Sequence, residues 1–298
     1  MDIFRYSKLY IAISIFFVGT AILSILFLGL NFGIDFTGGS VMEVRFEGEL
    51  PSVSEVRSLA SGLDLGSFSV QPVGEQGMLL RMKDITTQTH SILLERLGEN
   101  ASELRFESIG SAVGAELRAQ TVWMIALGIL MILFYIMIAF RRITAPFHSW
   151  QYSVAAIVAL VHDLVIPMGV LAILGWALGA QFTIPIVVAL LAVLGYSIND
   201  TVVVFDRIRE NVLAQTTFDI QDTLNKSFLQ TLSRNIGTSF TNLLAVGAIF
   251  LFGGETLHYF ALTLMVGIVA GTYSSLFLAP SLLLWVVRYR QRGVDRIA

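Results

Sequence analysis

The sequence predicts a polytopic α-helical membrane protein with one α+β domain outside the bilayer, inserted between its first two spans. Three observations carry this reading: six long apolar runs, one long polar insert with strand and helix spacing, and a one-sided distribution of Lys and Arg. Of 298 residues, 55% are hydrophobic and only 14% charged, against about 25% charged in soluble domains. Runs of about 18 or more apolar residues are the mark of membrane helices.

The six spans are expected near residues 9–30, 120–140, 152–174, 183–205, 236–252 and 260–287. The first follows a short basic start. It is too long for a signal-peptide core and lacks a small-residue cleavage site, so it reads as a retained helix. The insert alternates as a strand in VMEVRFE (41–47) and takes helical spacing after a Ser cap in SVSEVRSLASGL (52–63). Two strands follow, SFSVQPV (67–73) and GMLLRMK (77–83), then a helix at TTQTHSILLERLG (86–98) and a strand at SELRFESIG (102–110). The order β-α-β-β-α-β points to a ferredoxin-like split βαβ domain. No reactive constellation stands out in it, which favours a binding or lever role over catalysis. The expected organisation is a first helix at 1–30, an external domain at 31–119, helices 2–6 at 120–287 with a charged cytoplasmic loop at 206–235 that reads in part as a solvated surface helix, and a basic tail at 288–298.

Orientation follows from Lys and Arg. Arg5 and Lys8 precede span one, and Arg141 and Arg142 follow span two. Arg207, Arg209, Lys226 and Arg234 lie between spans four and five, and Arg288, Arg290, Arg292 and Arg296 follow span six. The short loops 175–182 and 253–259 have none. Both termini are therefore expected in the cytoplasm, in a multi-pass protein of the cell (inner) membrane.

The chain has no cysteine, which excludes disulfides, thiolate metal sites and a cysteine nucleophile. Its four histidines lack metal-ligand spacing. Chemistry is sought instead among ionisable groups inside spans, where a charge costs roughly 2.5–3.5 kcal/mol at a helix centre and marks function. His162 and Asp163 lie in span three, Asn199 and Asp200 in span four, and Arg234 at the expected cytoplasmic start of span five. Asp200 falls about 9 Å inside its span at 1.5 Å per residue, a depth the Arg234 side chain can reach. An acid beside a permanent cation can serve as a proton relay, binding a proton when the pair opens. The same residues can also form a static tie, with Arg234 alternatively snorkelling to lipid phosphates. His162 and Asp163 can line the same path or hydrogen-bond between helices.

Other stretches carry less. GIDFTGGS (33–40) lacks the Gly-Lys-Ser/Thr ending of a phosphate loop and reads as a turn into the external domain. Gly267 and Gly271 give GxxxG spacing for close helix packing. Gly195-Tyr-Ser197 is similar to the Gly-x-Ser of rhomboid proteases, but Ile198 replaces the following Gly and span six has no partner His. VHDL and INDT do not match the Tyr-Asp and Gly-x-Gly-Asp motifs of presenilin-type proteases.

One helix, an external α/β domain and five further helices resemble half of a resistance-nodulation-division (RND) transporter core. Such a half needs a second, from a partner chain or another copy. A proton-driven RND-type exporter of small molecules or lipids is therefore one reading. The motifs add another. FGIDFTGG after span one, ALVHD in span three and GYSINDTVVVFDRIREN in span four resemble the signature of the SecD/SecF family of protein translocase subunits. So do LQTLSRNIGTS entering span five and LFGGETLHYFALTLMVGIVAGTYSS across the last loop and span six. Together they are similar to the SecF branch. The resemblance implies pairing with SecD in a twelve-helix core. It also implies work beside the SecYEG channel and the YidC insertase, and use of the proton-motive force on a translocating unfolded polypeptide after the ATP-driven stage. In the family pattern, the positions of Asp200 and Arg234 belong to the proton path. No enzyme chemistry, cofactor, metal or nucleic acid is implied.

Overall fold

Among the described residues, six helices are long and apolar enough to cross a membrane. The structure is a computed structural model that describes residues 2–139, 149–214 and 219–294. A short 3₁₀ turn, Ile3–Tyr6, leads into α1 (Ser7–Leu28). After the insert come α5 (Ser111–Ala139), α6 (Ser149–Leu178), α7 (Ile184–Leu213) and α8 (Ile220–Phe252). The last span is α9 (Glu255–Tyr273), a π turn (Ser274–Leu278) and α10 (Ala279–Val294), which follow one another without a break. The chain is thus a multi-pass helical membrane protein with a sheet-containing insert.

Two compact units divide it. One comprises residues 1–31 and 124–298, the other residues 32–123. In the helical unit, α9 packs against α6, α7 and α8, and α1 packs along α6. Small residues permit the closest approaches. A Cβ on Gly267 would sit 2.2 Å from the Val193 side chain, and one on Gly169 would sit 2.5 Å from the Ala21 Cα. GxxxG spacing in α9 therefore seats it on α7, at Val193 and Ser197. An apolar cluster at one end holds Phe4, Tyr152, Phe205, Ile208, Leu224, Phe228, Leu283 and Leu284.

The charged stretch 206–235, expected as a cytoplasmic connection helical in part, is mostly helix among the described residues. α7 continues to Leu213 and α8 begins at Ile220. Charge marks where a helix leaves the apolar zone, not where it stops. Beyond that point Arg209–Asp206 (3.4 Å) and Arg207–Glu210 (2.8 Å) pair one turn apart. Asp219 caps α8 by accepting from the Gln221 amide at 2.8 Å. Asn211 donates to Ser227 Oγ at 2.9 Å and Gln230 Oε1 at 2.8 Å, tying the two helices together. Arg141, Arg142 and Arg296 lie outside the described residues.

In the other unit, α2 (Ile34–Thr37) opens the insert, followed by β1 (Gly39–Phe46), α3 (Val53–Leu59), β2 (Ser69–Val73), β3 (Gly77–Met82), α4 (Thr87–Leu97) and β4 (Ala101–Ile109). The sheet order is β2-β3-β1-β4, antiparallel throughout. This is the topology of a split βαβ domain. The alternation of β1 and β3 puts Met42, Val44, Met78, Leu80 and Met82 on one buried face, closed by Val56 of α3 and Leu93 of α4. Gly38 takes φ +74°, and a Cβ there would meet the Ser111 Cα at 2.6 Å, so the turn read from GIDFTGGS needs glycine.

Candidate functional site

Two polar clusters lie near mid-height of the helical unit. The first centres on Asp163, halfway along α6 and fully buried. Its Oδ2 accepts from Ser197 Oγ of α7 and, at 2.7 Å, from Ser274 Oγ at the start of the π turn. Its Oδ1 lies 2.8 Å from His162 Nδ1. Donors to an ionised acceptor make the stronger class of hydrogen bond, and a buried carboxylate needs them. Gly271 makes room: a Cβ there would fall 3.5 Å from Asp163 Oδ2. The π turn, a feature frequent at functional sites, follows at once and presents Ser274 to the carboxylate. The His162 ring stacks on Tyr273, centroids 6.0 Å apart at 26°. Tyr273 donates to the Tyr10 carbonyl of α1 at 2.7 Å. His162 Nε2 is buried without a hydrogen-bond partner.

The second cluster centres on Asp200, the seventeenth residue of the thirty in α7 and 2% exposed. Its Oδ2 has no hydrogen-bond partner. Tyr196, one turn earlier, lies 2.5 Å from Ser239 Oγ of α8, and Ser239 Oγ lies 2.6 Å from Thr272 Oγ1 of α9. α7 and α8 are antiparallel neighbours in register at Tyr196 and Ser239. One turn further along each, Asp200 and Asn235 share a level. Asn235 is 1% exposed, and both its amide atoms lack partners, as does the buried Thr201 hydroxyl.

Arg234 is placed differently from the sequence expectation. It is not at the start of its helix but fifteen residues in, because α8 begins at Ile220. Its side chain is exposed and lines a cleft of about 320 Å³ with Tyr135, Val203, Asp206, Arg207 and Gln230. Among the described residues the ion pairs do not include Asp200–Arg234. Asn199 faces outward and is exposed, so it joins neither cluster. The sequence singles out Ser197 only as a rhomboid-like serine, and it does not single out Ser274, Tyr196, Ser239, Thr272 or Asn235. The repeated hydroxyls of GYSIND and GTYSS, set in apolar runs, were the available signal.

The comparisons with known proteins agree with this architecture. The family model for the C-terminal part of protein export membrane proteins SecD/SecF matches residues 89–289, and the SecD/SecF GG motif matches residues 23–49. The chain belongs to the SecD/SecF family. It is 40% identical to protein translocase subunit SecF of Desulfurispirillum indicum, covering 96% of this chain and 92% of that one. It is 37% identical to the Pseudomonas aeruginosa subunit of the same name, covering 91% and 88%. A crystal structure of SecDF, a translocon-associated membrane protein from Thermus thermophilus, superposes with TM-score 0.83 at 32% identity over 95% of this chain. A SecDF structure described as a super-membrane-facing form gives 0.72 over the whole chain. The chain spans 38% and 40% of those two SecDF chains, so it corresponds to one part of a larger membrane core. ALVHD, GYSINDTVVVFDRIREN and the GTYSS segment, which carried the resemblance, all contribute residues to the two clusters.

Proposed function

We propose that this chain is an accessory subunit of the Sec protein-export machinery. In this reading it pairs with SecD, beside SecYEG and YidC, and uses the proton-motive force to promote passage of unfolded polypeptides after the ATP-driven stage. Both termini are cytoplasmic. Kinship with translocase subunits supports the substrate class. The observation that carries proton coupling is the Asp200 carboxyl, withdrawn from solvent and without an ion pair among the described residues. A buried carboxylate without a partner is costly, and either a proton or a cation relieves the cost. Asp200 alternates between a protonated, unpaired state and an ionised state paired with Arg234. Closing the pair moves α8 against α7, and the rearrangement is passed to the external domain, which holds and releases the emerging chain. One charge crossing 100 mV supplies about 2.3 kcal/mol, so a few protons make a useful stroke. Asp163, with its three partners, serves as a fixed point of the bundle or a second station on the path. No step calls for a cofactor or a covalent intermediate.

A strain lacking the gene and complemented with this chain tests the substrate class. Restored precursor processing with unchanged tolerance to small toxic compounds is expected. Restored tolerance without a change in processing would favour the small-molecule exporter.

A further inference from the structure

The hydroxyls of Tyr196, Ser239 and Thr272 form a chain across three helices, and its hydrogens do not cover its contacts. Ser239 Oγ touches Tyr196 Oη (2.5 Å), Thr272 Oγ1 (2.6 Å) and the Asn235 carbonyl (2.7 Å). Thr272 Oγ1 also reaches the Ile268 carbonyl at 2.7 Å. Four contacts share three hydroxyl hydrogens, so the chain has alternative directions of donation. One end is Tyr196, four residues before Asp200 on α7 and so on the same face of that helix. The other end is Thr272, two residues before Ser274, which donates to Asp163. A single stretch of α9 is thus held by the Asp200 side through Thr272 and by Asp163 through Ser274, at the turn where helical hydrogen bonding changes register.

We propose that Tyr196, Ser239 and Thr272 are a hydroxyl relay that couples the charge of Asp200 to the position of the Thr272–Ser275 segment, and through Ser274 to Asp163. The inference rests on the proton-coupled reading of Asp200. When Asp200 is neutral, Tyr196 donates to Ser239, Ser239 to Thr272, and Thr272 to the Ile268 carbonyl. When Asp200 is ionised, Tyr196 turns its hydrogen to the carboxylate and accepts from Ser239. Ser239 then accepts from Thr272, which gives up the Ile268 carbonyl. Hydrogens rotate and none is transferred between oxygens. The consequence is a change in the local bend of α9 directly ahead of the π turn.

The three side chains act as positioning residues, and their hydroxyls are what matter. Tyr196→Phe, Thr272→Val and Thr272→Ser are compared with wild type and Asp200→Asn, each co-expressed with the SecD partner. The readout is secretory-precursor translocation into inverted vesicles with ATP, with and without an imposed proton gradient. Tyr196→Phe and Thr272→Val are expected to lower the gradient-dependent part at least fivefold, with the ATP-dependent part unchanged. Thr272→Ser, which restores the hydroxyl, is expected to return at least half of it. Full gradient response in Tyr196→Phe and Thr272→Val beside a loss in Asp200→Asn would overturn the relay and leave the proton reading standing. Failure of Thr272→Ser to restore function would overturn it too, by tracing the Thr272→Val loss to packing. Full response in Asp200→Asn would remove the proton reading itself, and the relay with it.

Discussion

Ser274 Oγ donates to Asp163 Oδ2 at 2.7 Å, joining the first residue of the π turn to a carboxylate at the middle of α6. The acceptor is ionisable and fully buried, and hydrogen bonds to such groups contribute more than neutral ones. Ser274→Ala is expected to lower stability by about 1.5–3 kcal/mol, seen as a lower unfolding midpoint of the detergent-solubilised protein. Ser281→Ala is the control. Its hydroxyl is buried without a partner, and removing it is expected to cost nothing or to stabilise.

Glycines in α9 and α7 separate packing from helix propensity. A Cβ on Gly267 would meet the Val193 side chain at 2.2 Å, whereas Gly195 has nothing within 4 Å. Gly267→Ala is expected to destabilise by about 1–3 kcal/mol through overpacking. Gly195→Ala is expected to be neutral or stabilising by up to about 1 kcal/mol. Thermal unfolding of the two variants side by side checks the contrast.

Asn225 of α8 receives the start of the chain. Its Oδ1 accepts from the Ile3 and Phe4 amides at 2.9 and 3.2 Å, and its Nδ2 donates to Asp2 at 3.0 Å. Gln221 Nε2 adds a donor to Asp2 at 2.8 Å. Asn225, then Gln221, hold the Asp2 carboxyl below the usual carboxylate range. A depressed folded-state pKa gives a contribution present above the unfolded value, about 3.9, and lost as pH falls through the folded one. Exchange of the Ile3 and Phe4 amides is therefore expected to accelerate below about pH 4 relative to the intrinsic rate. Asn225→Ala should show that acceleration already at neutral pH.

The insert offers a test on soluble ground. Ser52 and Glu55 form a reciprocal capping box at the start of α3, with Ser52 N–H donating to Glu55 at 2.7 Å. The Ser52 amide, then the Ser52 side chain, pull the Glu55 carboxyl below its ordinary value. The cap is therefore in place above about pH 4.3 and is lost as pH falls through the lowered value. Ser52→Ala is expected to destabilise the α3 turn by about 1 kcal/mol, read as faster amide exchange over 53–59 at neutral pH and a reduced difference from wild type in acid.

Much of the fold was legible because its signals are local. Apolar runs gave six spans, and period-two alternation in β1 and β3 gave the insert's order, from which the β2-β3-β1-β4 sheet follows. The charged stretch 206–235 reads as partly helical, but the helix bounds within it were less legible because hydropathy reports the solvent around a helix and not its end. The Asp219 cap and the Arg207–Glu210 spacing were the cues to α7 and α8 running on. The site was legible in its acids but not in their partners. Asp163 and Asp200 stand out in apolar runs, yet Ser197 and Ser274 reach Asp163 from 34 and 111 residues away. Serine in a membrane helix most often bonds its own helix, as Ser239 and Thr241 also do here. Arg234 was legible as a cation near the depth of Asp200, but not its exposed placement, nor Asn235 beside it at the level of the carboxyl.

The most direct test of Asp200 as the energy-coupling group is the gradient-dependent part of precursor translocation into inverted vesicles, with ATP present and partner subunits at matched levels. Wild type, Asp200→Asn and Asp200→Glu are compared. The expected result is loss of the gradient-dependent part in Asp200→Asn, its retention in Asp200→Glu, and an ATP-dependent part equal in all three. A full gradient response in Asp200→Asn would contradict the account and reduce Asp200 and Arg234 to a structural role.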